Sequence, residues 1–192
     1  MIELTPPLRR ATADDAPALA DFINMAGEGL PLHVWEQMAK DDEDPWMLGR
    51  RRMAERAEAG KVFVIDDAGG AIAGLTGYPT PAAPEPIADD EVPMFVPMIE
   101  LENLAPSTWY VNILATYPEH RGRGHGARLL ALSEDIARDQ GLAAMSIIVA
   151  SGNAGARRLY ERTGYAEAAR RIMVKDDWEC DSDEWVLLVK EI

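Results

Sequence analysis

The order of apolar runs in this chain predicts a mixed α/β domain, a central sheet with helices on both faces. Three observations carry that prediction. Trp109–Ala115 (WYVNILA) and Met145–Ala150 (MSIIVA) are strand-length runs, and the second is apolar almost throughout, as a strand covered on both faces is. Apolar residues at helical spacing follow each run. Upstream, KVFVID and AIAGLTGY flank Asp67-Ala68-Gly69-Gly70, the pattern of an antiparallel hairpin. The succession is not a repeating βαβ array. A chain of 192 residues is expected to form one domain, residues 1–192, with a full core.

Taken in order, Pro7–Ala11 reads as a short first strand. Thr12-Ala13-Asp14-Asp15 reads as a helix start with acidic residues in its first turn, and Ala16, Leu19, Ala20, Ile23 and Ala26 share one face up to Gly27. Leu32–Lys40 and Met47–Ala59 are expected helices on either side of an acidic break, Asp41-Asp42-Glu43-Asp44-Pro45. Arg50, Arg51, Arg52 and Arg56 give the second a solvated basic side. Lys61–Asp66 and Ala71–Tyr78 form the hairpin. Pro79–Pro97 contains six prolines and the acidic run Asp89-Asp90-Glu91, which excludes a regular strand or a long helix. Met94, Phe95, Val96 and Met98 suggest that its second half packs on something, either as a flap over a cleft or as a contact in a homodimer.

Ile99–Leu104 (IELENL) is expected to pair with Trp109–Ala115 as a second hairpin. On the latter strand Val111, Ile113 and Ala115 share one face; Tyr110, Asn112 and Leu114 share the other. Two polar groups on one face of a central strand need partners, which a cleft or a satisfied core supplies. A helix over 127–140 places Ala127, Leu130, Ile136 and Ala137 in one band. Asn153 is suited to cap a further helix that ends at Gly164, with Ala156, Leu159, Tyr160 and Thr163 on its inner face. Residues 166–174 and 184–192 are expected to be the last strand pair.

Chemistry concentrates between the two central strands, in YPEHRGRGHGA, residues 117–127. Strand, glycine-punctuated turn, then helix is the arrangement that aims backbone N–H groups and the positive end of a helix dipole at an anion. Gly122, Gly124 and Gly126 let a ligand approach the main chain, and Arg121, Arg123 and Arg128 add positive charge. The pattern lacks the Lys-Ser/Thr of a P-loop and the downstream acid of a dinucleotide site.

Arg121-x-x-Gly124-x-Gly126-Ala127 followed by Asn153-x-x-Ala156-x-x-x-Tyr160-Glu161-x-x-Gly164-Tyr165 resembles the two signature segments of the GNAT superfamily of acetyl-CoA-dependent N-acyltransferases. The resemblance extends from about Leu8 to the C-terminus, although only residues 109–165 carry specific motifs. Tyr165 stands where the family often has Phe. The resemblance implies a mixed, mostly antiparallel sheet whose two central strands splay into a V that receives pantetheine like an added strand. It implies acetyl-CoA as co-substrate and direct transfer to a primary amine of a small molecule or peptide. The cofactor-binding residues it implies are Ile113, Leu114, Ala115, Arg121, Gly122, Arg123, Gly124, His125, Gly126, Ala127, Asn153 and Tyr160.

Tyr160 is the expected acid for the departing thiolate. Glu102, Tyr110, Glu100 and Glu28 are candidates for the group that takes the amine's proton. Glu28, in the glycine-flanked loop Gly27-Glu28-Gly29, Glu100 and Asn112 are the expected acceptor contacts; a plain helix–helix turn is the other reading of that loop. A CoA-binding protein that has lost catalysis and serves as a sensor or partner subunit is the alternative function.

Composition narrows the classes. A net charge of −14 argues against nucleic acid as a partner and suits a cationic acceptor. No stretch approaches a membrane span, and MIELTPPLRR has no apolar signal core, so a cytoplasmic protein is expected. One cysteine, Cys180, and three scattered histidines predict no disulfide framework and no metal site.

Overall fold

A computed structural model describes residues 4–40 and 42–192; Asp41 of the acidic break and the first three residues lie outside them. It contains a seven-stranded, mostly antiparallel sheet in the order β1-β2-β3-β4-β5-β7-β6, with six α-helices among the described residues. By contacts the chain divides into two compact units. Among the described residues, one comprises 4–77 together with Ile113–Leu129, and the other comprises Tyr78–Asn112 with Leu130–Ile192.

The first unit begins with β1 (Leu8–Arg10), which pairs antiparallel with β2 (Val62–Asp67). A single 3-10 turn, Ala13–Asp15, leads into α1 (Ala16–Ala26). Asp15 closes a capping box with Thr12 and takes both arms of the Arg9 guanidinium at 2.7 and 2.8 Å. Arg9 also holds Asp66 of β2, so strand pair and helix start are joined through one planar cation. The hairpin follows as expected: Asp67 accepts from the Gly69 N–H at 2.7 Å, and β3 (Gly70–Pro79) returns along β2.

Two helices start earlier than their apolar periodicity suggested. α2 runs Leu30–Met38 and α3 runs Pro45–Glu58. Pro45 does not break the chain but opens α3, since its missing N–H falls where a helix needs none, and Asp44 caps the turn by accepting from Trp46 N–H at 3.0 Å. Leu19, Ala20 and Phe22 of α1, Trp35 of α2, Leu48, Met53 and Ala57 of α3, and Val62 and Val64 of β2 form the core. Two glycines make room for its aromatics. A Cβ at Gly74 would stand 2.6 Å from the Phe22 ring, and one at Gly49 would enter the Trp35 ring. Burying a ring of this size contributes roughly 1.5–3 kcal/mol.

β4 (Trp109–Thr116) has its first four residues in the second unit, where Trp109–Val111 pair in parallel with β5 (Ala144–Ala150); β5 pairs antiparallel with β7 (Glu184–Glu191), and β7 with β6 (Ala166–Ile172). The expected second hairpin is absent. Residues 99–104 belong to a helix, α4 (Val96–Asn103), and the physical reason lies in its side chains. Pro97 sits in the first turn and is buried together with Leu101, one helical turn away. Six residues are too few to tell a short helix from a strand. A buried chain of hydroxyls ties this region down: Thr108 Oγ1 lies 3.2 Å from Thr80 Oγ1 and 2.6 Å from Ser146 Oγ of β5.

α5 runs His125–Asp139 and α6 runs Ala154–Arg162. Leu129, Leu130, Leu132, Ile136 and Ala137 are buried along α5, whereas Ala127, expected in that band, is exposed because the first turn stands clear of the core.

Candidate functional site

The glycine turn belongs to the first unit. A 3-10 turn, Pro118–His120, ends β4 and delivers the chain to Arg121, whose guanidinium bonds back to the Thr116 carbonyl at 3.1 Å. Gly122 and Gly124 adopt φ of +76° and +85°, the left-handed region in which a side chain is strained. A Cβ at either would meet no protein atom within 4 Å. Packing therefore does not demand these glycines; the backbone path does, and it leaves open space over the main chain.

The first bond inside α5 joins Arg128 N–H to the Gly124 carbonyl at 3.0 Å. The N–H groups of His125, Gly126 and Ala127 thus fall in the first turn, where the helix has no acceptor of its own for them. Arg121, Gly122, Arg123 and Gly124 are exposed there. Burial, and after it the neighbouring His120, Arg123 and Arg128, lower the His125 pKa, so its imidazole is neutral beside the cations. Arg128 reaches the Thr5 carbonyl at 2.8 Å and braces the turn. An oxyanion with several acceptor oxygens fits this cradle in charge, in donor set and in space.

Glu28 lies in the same unit. It has φ of 53° and precedes Gly29 at φ of 86°, so the α1–α2 turn is built on two consecutive left-handed residues and Glu28 is half-buried in it.

The second unit holds a different cluster. Tyr110 of β4 is buried, and its ring lies 5.2 Å from that of Tyr78, at 54°. The Tyr78 hydroxyl donates to Glu102 Oε2 at 2.8 Å. Burial raises the Glu102 carboxyl above its usual range, the Tyr78 hydrogen bond opposes that rise, and the nearby Glu85 carboxylate adds to it. Burial likewise raises the Tyr110 phenol; the Glu102 charge reinforces this, and a hydrogen bond with the Asn112 side chain partly offsets it. Tyr160 of α6 is 4% exposed, raised by burial, and close enough to Tyr110 for the two phenols to influence each other. Its ring packs 5.8 Å from that of Tyr165.

Four sequence candidates, Glu102, Tyr110, Asn112 and Tyr160, thus gather in one unit. Glu100 does not join them. On a helix, residues two apart point to different sides, and Glu100 pairs with Arg171 of β6 while Glu102 faces Tyr78. Asn153 caps α6, accepting from Ala156 N–H at 3.0 Å. Ile113 and Ala115 are buried and Leu114 half-buried, as the strand alternation required. The β4–β5 ladder runs from Trp109↔Met145 to Val111↔Ile147.

Two residues of this cluster escaped the sequence reading. Tyr78 was taken only as the end of a hairpin strand, and Glu85 is embedded in a proline-rich segment with no periodicity. Both line a cavity of about 320 Å³, together with Thr80, Ile87, Glu91 and Glu102. The segment is fastened there by Asn103, whose side chain accepts from Glu85 N–H at 3.0 Å and donates to its carbonyl at 2.9 Å. Among the described residues no three His, Cys, Asp or Glu side chains gather as a metal site, and no helix is long and apolar enough to cross a membrane.

Comparison with known proteins bears on the fold and the family. The chain is 39% identical over 51 residues to the uncharacterised N-acetyltransferase YycN of Bacillus subtilis (strain 168); that stretch is 27% of this chain and spans a third of the relative's length. A mosquito arylalkylamine N-acetyltransferase, like 5b, superposes with a TM-score of 0.65 at 21% identity, over 96% of this chain and 99% of its own. The ribosomal-protein-alanine N-acetyltransferase of Brucella melitensis does so with 0.60 at 19%, over 96% and 99%. Identities this low speak for the fold alone. The family model of the acetyltransferase (GNAT) family matches residues 27–165, most of the chain and both signature segments, and the chain belongs to that family.

Proposed function

We propose that this chain is an N-acetyltransferase that moves an acetyl group from acetyl-CoA to a primary amine of a small molecule or peptide, directly and within a ternary complex. The observation that carries this reading is the cluster of Glu102, Tyr110 and Tyr160. It offers a carboxylate with raised proton affinity and a phenol that burial keeps protonated across neutral pH.

In this reading the N–H groups of residues 122–127, with Arg121 and Arg123, hold the pyrophosphate, main-chain groups of Ile113–Ala115 hold pantetheine, and Asn153 lies toward its far end. An alkylammonium has a pKa of roughly 10 and must lose a proton before its lone pair can attack. Glu102 takes that proton, directly or through water. Tyr110 suits this task less well, because its raised phenol is protonated at neutral pH. The amine nitrogen bonds to the thioester carbonyl carbon, and the C–S bond breaks. The sulfur leaves as a thiolate and takes the Tyr160 proton, the second proton of the former ammonium restores the Tyr160 phenol, and Glu102 gives the first to solvent. The balance is one ammonium and one thioester giving one amide, one thiol and one proton.

The test is release of CoA thiol from acetyl-CoA across a panel of primary amines. Turnover with at least one amine, and product mass increased by one acetyl group, is the expected result. Tight CoA binding with no turnover on any amine would replace this reading with that of a CoA-binding sensor.

A further inference from the structure

We infer that the cavity beside Glu102 selects a compact diamine as acceptor, with Glu85 of the proline-rich segment holding the second ammonium. The inference rests on the reading of Glu102 as the group that receives the acceptor's proton, and it decides between the small molecule and the peptide that this reading leaves open.

The cavity measures about 320 Å³, at the small end of the range for ligand sites, roughly 300–1,000 Å³. Proline, alanine and isoleucine side chains make up much of its wall, which suits a short methylene chain. Its charged lining is of one sign: Glu85, Glu91 and Glu102 face it, and neither lysine nor arginine lines it. Glu85 and Glu102 are near enough for the first to disfavour ionisation of the second. Two carboxylates held in one cavity repel each other, and a ligand with a positive charge at each end relieves that repulsion. Glu91 and Glu102 are half-buried and Glu85 is exposed, on a segment that is tied to α4. The Asn103 side chain grips both the N–H and the carbonyl of Glu85, so the segment is registered on α4 through the residue that carries the carboxylate. That grip uses only the backbone of residue 85, which leaves its side chain open to substitution without loss of the contact.

Three amines with four carbons each separate the alternatives: 1,4-diaminobutane, butylamine and 4-aminobutanoate. Their binding to the protein with CoA present is measured by calorimetry, and their acetylation by thiol release, for the natural protein and for Glu85→Gln. We expect 1,4-diaminobutane to bind at least tenfold more tightly than butylamine, with no measurable binding of 4-aminobutanoate. Glu85→Gln, still folded by circular dichroism, should reduce the diamine advantage to less than threefold. Equal binding of butylamine, or a diamine advantage that survives Glu85→Gln, overturns the inference. If butylamine is acetylated as fast as the diamine, this inference fails and the transferase reading stands. If the diamine binds with the expected preference and no acetyl transfer occurs, the transferase reading fails and the assignment of the cavity stands.

Discussion

Tyr160 and Glu102 owe their proposed roles to the same physical cause, burial, acting on two acids with opposite tasks. Burial raises the pKa of both, which keeps a phenol protonated and makes a carboxylate a better base. Tyr160→Phe removes the hydroxyl and preserves the ring that packs on Tyr165. We expect the melting temperature to change little and turnover to fall roughly ten- to thousandfold, the scale of a general acid. Wild-type turnover in the Phe variant would leave Tyr160 as a packing residue. For Glu102 the sign of the pH effect follows from its raised pKa. The ionised form is the active base, so kcat/KM should decline as pH falls through a value above the ordinary carboxylate range. Folding disfavours the ionised form relative to the unfolded chain, so the charge costs stability at neutral pH. Glu102→Gln should therefore be at least as stable as the parent at pH 7 while losing the acidic limb of the profile. An unchanged limb would assign the proton to another group.

At the scale of elements, two glycines illustrate opposite constraints. Gly124 sits at φ of +85° with nothing near its missing Cβ. Gly124→Ala should therefore cost about 1–3 kcal/mol of backbone strain, which the turn can relax by moving. Because that movement redirects the N–H groups at the start of α5, we expect acetyl-CoA affinity to drop at least tenfold, about 1.4 kcal/mol. Calorimetry on a folded variant decides it, and unchanged affinity removes the turn from the proposed phosphate site. Gly49 lies inside α3, where alanine should favour the helix by about 1 kcal/mol. Its Cβ would enter the Trp35 ring, so Gly49→Ala should be destabilising by about 1–3 kcal/mol despite the better propensity. A rise in melting temperature would show that α2 and α3 can separate freely.

For the molecule as a whole, a net charge of −14 sets up a field that draws cations and repels anions. A cationic acceptor should be captured faster at low salt, because the Debye length falls from about 10 Å at 0.1 M to about 3 Å at 1 M ionic strength. We expect kcat/KM for the best amine to decrease as ionic strength rises, with kcat less affected. A kcat/KM independent of salt would make the acidic surface a matter of solubility alone.

Much of this was legible in the residues themselves. The hairpin at 62–79, the glycine turn and the caps at Asp15 and Asn153 are local devices, in which a residue type within a few positions meets the backbone's own requirement. The two signature segments carried a resemblance to the family whose model matches residues 27–165. Non-local packing decided the rest. Residues 96–103 form a helix because Pro97 and Leu101 are buried together, a fact that the six residues IELENL do not encode. That change of period separated Glu100 from Glu102, giving one to Arg171 and the other to Tyr78. Glu85 became a candidate for acceptor recognition only through Asn103, 18 positions away. Short-range geometry is written in neighbouring residues, whereas which charges share a cavity depends on which surfaces the fold buries together.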